Sequence, residues 1–146
     1  MDNVVIRHCK KEDYNCIIQL LKQLWPDKIF DNNSRSIYEK ALSSNSQKLI
    51  VCIADDVICG FCSLTVKNSL WQSGNIGHID ELVVDSCFRN KGIGKMLMNK
   101  MELIAMEDAC KRIELDSAFH RKDAHEFYLK NAFENRAYLF SKKLFP

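Results

Sequence analysis

The residues best suited to chemistry lie together at Arg89-Asn90-Lys91-Gly92-Ile93-Gly94, where a β-branched run gives way to helical spacing. Two glycines at i and i+2 let the backbone approach a ligand closely. A helix opening there leaves its first N–H groups unpaired and presents the positive end of its dipole, which suits an anion. Arg89, Lys91 and Lys95 add positive charge around it. A pyrophosphate matches such a loop in charge and in acceptor oxygens. Two other phosphate-binding patterns fail. A Walker A loop would need glycine where Arg89 stands and Ser or Thr where Met96 stands. The dinucleotide fingerprint would need glycine at Leu97.

His78, Asp80 and Glu81 cluster just ahead of this segment. In a regular strand His78 and Asp80 share one face and Glu81 takes the other. An ordinary Asp titrates near ~3.9 and is a weak base for a cation such as an ammonium, which titrates near ~10. A carboxylate here therefore acts through a water or binds the cation. Trp25-Pro26-Asp27 and Trp71 offer aromatic rings to a cationic acceptor, and Trp25 also fits the helical spacing of a core residue. Trp25 and Glu81 are the substrate-side candidates. Cys59-Gly60-Phe61-Cys62 matches C-x-x-C but sits in a strand-like run, and no second pair completes a zinc site. No metal site is expected, and His120, His125 and the Lys142-Lys143 pair read as structural or solvated.

Elements of the right kind flank these residues. Strand patterns run over 4–7, 49–54, 57–66, 79–84, 112–115 and 136–144, with a hairpin turn at Asp55-Asp56 and a polar loop over 68–77. Helical spacing covers Tyr14, Ile17, Ile18, Leu21 and Trp25, then residues 35–42, 92–109 and 122–130. Pro26 ends the first of these helices. The order β-α-α-β-β-β-α-β-α-β predicts an α/β fold, a mixed sheet with helices on both faces, in a single domain over 1–146.

Composition sets the class. The chain has 146 residues, 47% hydrophobic and 27% charged, with 21 Lys plus Arg against 19 Asp plus Glu. A net charge of +2 argues against nucleic acid as a partner. The longest apolar run, residues 49–54, is far short of the ~18 needed to span a bilayer. The N-terminus lacks the features of a secretion signal, so the expected location is cytoplasmic. Seven scattered cysteines, an odd number, read as reduced thiols packed in the core.

With its flanks, the glycine-rich segment reads Leu82-Val83-Val84-Asp85-Ser86-Cys87-Phe88-Arg89-Asn90-Lys91-Gly92-Ile93-Gly94 and resembles the acetyl-CoA motif of the GNAT N-acetyltransferase superfamily. Downstream, Ala124-His125-Glu126-Phe127-Tyr128-Leu129-Lys130-Asn131-Ala132-Phe133 looks like that family's A-x-x-x-Y-x-x-x-G-F. The element order matches over nearly the whole chain. The four residues Leu24-Trp25-Pro26-Asp27 also look like a stretch of some aminoglycoside 6'-N-acetyltransferases.

The resemblance implies a mostly antiparallel, twisted GNAT sheet in which two parallel strands splay to hold acetyl-CoA. Leu82, Val83 and Val84 would pair with the pantetheine arm through their backbone, and N–H groups over Asn90, Lys91, Gly92, Ile93, Gly94 and Lys95 would hold the pyrophosphate beside Arg89. Tyr128 matches the tyrosine that protonates the departing thiolate, and Asp80 stands where some relatives place the base. A backbone N–H near Val83 would face the developing oxyanion. Two positions depart from the family: Arg121 stands for the usual Asn, and Ala132 for the usual Gly. The implied activity is direct acetyl transfer to a primary amine of a small molecule or peptide, in a protein often found as a homodimer. The competing readings are an acetyl-CoA-binding module without catalysis and an enzyme acting on a protein or aminoacyl-tRNA.

Overall fold

The computed structural model describes residues 3–146, which form two compact units, one running up to Glu114 and the other Leu115–Pro146. Each is described by itself.

The larger unit is built on a sheet of order β1-β2-β3-β4-β5. Its strands are β1 Val5–His8, β2 Gln47–Ala54, β3 Val57–Ser69, β4 Gly74–Val84 and β5 Cys110–Leu115. Ladders β1–β2, β2–β3 and β3–β4 are antiparallel. Helices α1 Tyr14–Leu24, α2 Asn32–Leu42 and α3 Ile93–Glu107 cover the sheet. This is the mixed α/β architecture expected from the element order.

Local chemistry sets the boundaries. Before α1, the Arg7 guanidinium holds Asp13 through two hydrogen bonds of 2.7 and 3.0 Å, and the Lys10 N–H donates to Asp13 at 2.8 Å. The helix stops at Trp25, whose backbone leaves the helical region ahead of Pro26. Helix α2 starts three residues earlier than its apolar spacing suggests, because the Asp31 carboxylate accepts the N–H groups of Asn33 and Ser34 at 3.0 and 3.3 Å. The expected polar loop over 68–77 contracts to a short turn, since β3 and β4 stay paired out to Ser69 and Gly74. Ladder pairing is a backbone property, so Asn68 and Asn75 continue it where the apolar pattern has stopped.

Two cores flank the sheet. Ile17, Ile18, Leu21, Tyr38 and Ala41 pack with Leu49, Val51, Phe61 and Val83 on one side. On the other lie Ile93, Leu97, Met98 and Met101 of α3, all buried. Gly60 fixes how closely α3 approaches: a Cβ there would lie 2.8 Å from Leu97 Cδ1 and 3.2 Å from Ile93 Cγ2. The seven cysteines are free thiols. Cys52, Cys59 and Cys62 are buried in the strands as expected, whereas Cys16 and Cys87 are exposed and do not belong to the core.

The smaller unit contains α4 Lys122–Lys130, and no helix or strand follows it. The strand expected over 136–144 is not formed. Within this unit no strand stands beside it to complete a ladder, and alternation alone cannot satisfy a strand's backbone. Helix α4 ends in a Schellman cap: the Phe133 N–H donates to the Tyr128 carbonyl at 3.0 Å and the Ala132 N–H to the Leu129 carbonyl at 3.3 Å. That cap needs a left-handed residue, and Ala132 supplies it at φ +66°. The departure from the family's glycine therefore carries strain. Ala132→Gly is expected to raise stability by about 1 kcal/mol, less the extra freedom glycine gains when unfolded. The measurement is the urea midpoint at constant slope, and a lowered midpoint would contradict a strained cap.

Candidate active site

Strand β4 determines where the acids point. The β3–β4 register runs Thr65↔His78 and Leu64↔Ile79, then shifts to Ser63↔Glu81. Asp80 is left without an opposite residue, which makes it the extra residue of a β-bulge. The bulge cancels one alternation, so Glu81 does not take the opposite face as a regular strand would require. Asp80 and Glu81 both line one cavity of about 400 Å3, enclosed by α1, α2 and strands β2 to β4. Glu81 as a substrate-side candidate thus joins Asp80, and the expected separation of the two is corrected.

Hydroxyl groups across the ladder hold both acids. The Ser63 hydroxyl donates to Glu81 Oε2 and accepts the Glu81 N–H at 3.1 Å. The Thr65 hydroxyl donates to Asp80 Oδ2 at 2.5 Å, and His78 Nδ1 pairs with Asp80 Oδ1 at 2.9 Å. Burial pushes the Glu81 carboxyl above its ordinary value; the Ser63 hydroxyl opposes this, and the neighbouring negative charge of Asp80 adds to it. Sequence reading missed Ser63 and Thr65. Their i, i+2 spacing gives them a shared face, but only the register sets that face against the acids.

Beyond the bulge, β4 leads into the glycine loop. The Asp85 N–H donates to the Cys59 carbonyl at 2.8 Å. By the alternation of an antiparallel ladder, Val83 also turns its N–H toward β3, opposite Phe61, and Leu82 and Val84 turn theirs to the other edge. The Arg89 Nε–H takes the Val84 carbonyl at 2.9 Å. Asp85 caps the turn that follows by accepting the Cys87 N–H at 2.8 Å, a bond that lowers its pKa. Gln23 of α1, also missed in the sequence, fastens this turn from outside: its amide donates to Asp85 at 3.0 Å and accepts the Ser86 N–H at 3.0 Å.

The loop itself alternates in hand. Asn90 lies at φ +61° and Gly92 at φ +82°, with Lys91 between them not among the positive-φ residues. Alternation of this kind turns successive N–H groups toward one concave side, and the first turn of α3 adds its own unpaired groups from Ile93, Gly94 and Lys95. A Cβ at Gly92 would meet nothing within 4 Å, so the backbone there is open to a ligand. These features fit an anion of pyrophosphate size. Lys91 rests over the Phe88 ring at 5.3 Å, and Lys95 is exposed.

Trp25 caps the end of α1 and is 42% exposed; the cavity that holds the acid pair is lined by other residues. Tyr128 lies in the smaller unit, half-buried on α4, its ring edge-on to Phe127 and Phe133 at centroid distances of 5.5 and 5.6 Å. Arg121 stands at the N-cap of the same helix and makes no side-chain capping bond. Among the described residues, no helix is long and apolar enough to cross a membrane.

The model of the acetyltransferase (GNAT) family matches residues 11–133. An aminoalkylphosphonate N-acetyltransferase of Salmonella typhimurium is 27% identical over 139 residues, covering 95% of this chain and 90% of the relative. The N-acetyltransferase YhdJ of Bacillus subtilis, itself uncharacterized, is 30% identical over 105 residues, covering 71% and 73%. A solved structure of AAC(6')-Iy with the bisubstrate analog CoA-S-monomethyl-acetylneamine superposes with a TM-score of 0.85 at 20% identity, over 97% of this chain and 99% of that one. That last likeness concerns the fold alone. The family match over most of the chain, together with the bulged acid pair and the glycine loop, leads to one assignment: the chain belongs to the GNAT acetyltransferases, enzymes that transfer an acetyl group to amines.

Proposed function

We propose that this protein moves acetyl from acetyl-CoA directly to a primary amine of a small molecule, working as a single catalytic domain in a reducing compartment such as the cytoplasm. The observation that carries the reading is the placement, on one strand, of an acid pair lining one cavity, Glu81 half-buried and Asp80 exposed, followed by a helix start suited to an anion. The family match spans both compact units, which supports one domain. Seven cysteines with no disulfide among them are in keeping with that compartment.

Acetyl-CoA supplies an activated thioester; the chain's own groups bind, orient and move protons. N–H groups over residues 90–95 hold the pyrophosphate, with Arg89, Lys91 and Lys95 nearby. Leu82 and Val84 offer outward backbone groups to the pantetheine arm, and one of their N–H groups serves the developing oxyanion in place of Val83's. Glu81 is the better base of the acid pair, because its raised pKa brings it nearer to that of an amine. Asp80 orients the acceptor's ammonium. A C–N bond forms as the C–S bond breaks. The amine's proton goes to Glu81, directly or through a water, and Tyr128 donates its hydroxyl proton to the departing thiolate. Trp25 remains a candidate for the outer wall of the acceptor path.

Two experiments test this. Acetyl-CoA consumption, followed by thioester absorbance over a panel of amines, is expected to reveal turnover that falls ~10²-fold or more in Glu81→Gln and in Tyr128→Phe. A base must be ionised, so activity should rise with pH through an apparent pKa above the 4.5 of an ordinary Glu, and Glu81→Gln should lose that limb. Full activity of both variants in folded protein would remove the proposed roles. Binding of acetyl-CoA without turnover on any amine would favour a non-catalytic module. Separately, Gly92→Val is expected to weaken acetyl-CoA binding at least tenfold, since a β-branched residue resists φ +82° and fills the open approach. Unchanged affinity by calorimetry would place the pyrophosphate elsewhere.

A further inference from the structure

The cavity beneath the bulge holds more information than an amine site requires. This step rests on its reading as the acceptor pocket. Its charged lining residues are Asp80 and Glu81; among the described residues no Lys or Arg lines it. The rest of the wall mixes apolar side chains with uncharged polar ones, of which Ser63 and Thr65 hold the acids. Two adjacent carboxylates in a half-enclosed space repel each other, which adds to the larger effect of burial in raising the Glu81 pKa. A single ammonium relieves that repulsion only partly. An anionic group on the acceptor would add a like charge and find no cation to answer it.

We propose that the pocket selects against acceptors carrying an anionic group close to the amine and favours a short alkane diamine over the matching monoamine. One nitrogen delivers its proton to Glu81 and is acetylated. The second stays charged and pairs with Asp80, whose carboxylate offers about four lone-pair sites and so keeps capacity beyond its bonds to Thr65 and His78. The apolar wall takes the methylene spacer. This departs from the Salmonella relative, which is named for an acceptor bearing a phosphonate. Likeness over the whole fold does not transfer acceptor charge, because the groups that answer that charge are a few side chains of the pocket.

The test uses the full chain at pH 8. Three acceptors are compared for kcat/KM and, with the protein plus CoA, for calorimetric binding: 1,4-diaminobutane, n-butylamine and 2-aminoethylphosphonate. The expected order is diamine above monoamine by at least tenfold, and monoamine above phosphonate by at least tenfold. Asp80→Asn should narrow the diamine-to-monoamine ratio several-fold. Ile37→Arg, at an exposed residue of the cavity wall, should raise phosphonate use relative to the diamine without depending on the acids. Phosphonate turned over or bound as well as butylamine by the wild type would overturn the proposal, as would an unaltered diamine-to-monoamine ratio in Asp80→Asn. Diamine binding that depends on Asp80, with no acetylation of any amine, would uphold the pocket's selectivity and sink the catalytic reading instead.

Discussion

A single unpaired residue in the β3–β4 ladder governs the chemistry of the larger unit. An antiparallel ladder otherwise assigns consecutive side chains to opposite faces, and a strand carrying Asp80-Glu81 would send one acid into each core. An uncompensated carboxylate among α3's Leu97, Met98 and Met101 would be costly. The extra residue at Asp80 removes that conflict and turns both acids toward α1 and α2. It also resets the strand, so that Val83 packs with Phe61 while Leu82 and Val84 turn their backbone groups to the edge away from β3. The shared face of the acid pair and the outward backbone of Leu82 and Val84 are thus two results of one irregularity.

The glycine loop depends on the same strand through its far end. Helix α3 can sit close to the sheet because position 60 has no Cβ, and its N-terminus carries the loop with it. From the other side, Gln23 reaches across from α1 to the Asp85 turn. The turn is therefore held between a helix on each face of the sheet. Rigidity of this kind is what an anion site made mostly of backbone N–H groups requires, since those groups bind well only when fixed in direction.

How much was legible in the sequence follows from how local each feature is. The loop from Arg89 to Gly94 could be read directly, because glycine spacing and helix starts are properties of a few neighbouring residues. Most helices and strands were legible for the same reason. The bulge was not: it exists only relative to a partner strand more than a dozen residues away, and nothing in Ile79-Asp80-Glu81 marks it. Gln23 was hidden likewise, its partner being 62 residues distant. The alternating residues of 136–144 carried a strand's pattern without a partner within their own unit. Ala132 showed that a missing glycine was a question, and the answer lay in its backbone angle.

The distribution of cysteines has a practical side. Cys52, Cys59 and Cys62 are enclosed, and burial pushes the Cys52 thiol up to about 12 and raises that of Cys62 as well. A thiol needs its ionised form and an open path to react. Alkylating reagents will therefore meet Cys16 and Cys87 first, one on α1 and one in the turn just before the glycine loop. The molecule carries two natural attachment points for a dye or spin label, placed on the elements that flank its glycine loop, while the thiols inside the sheet stay silent.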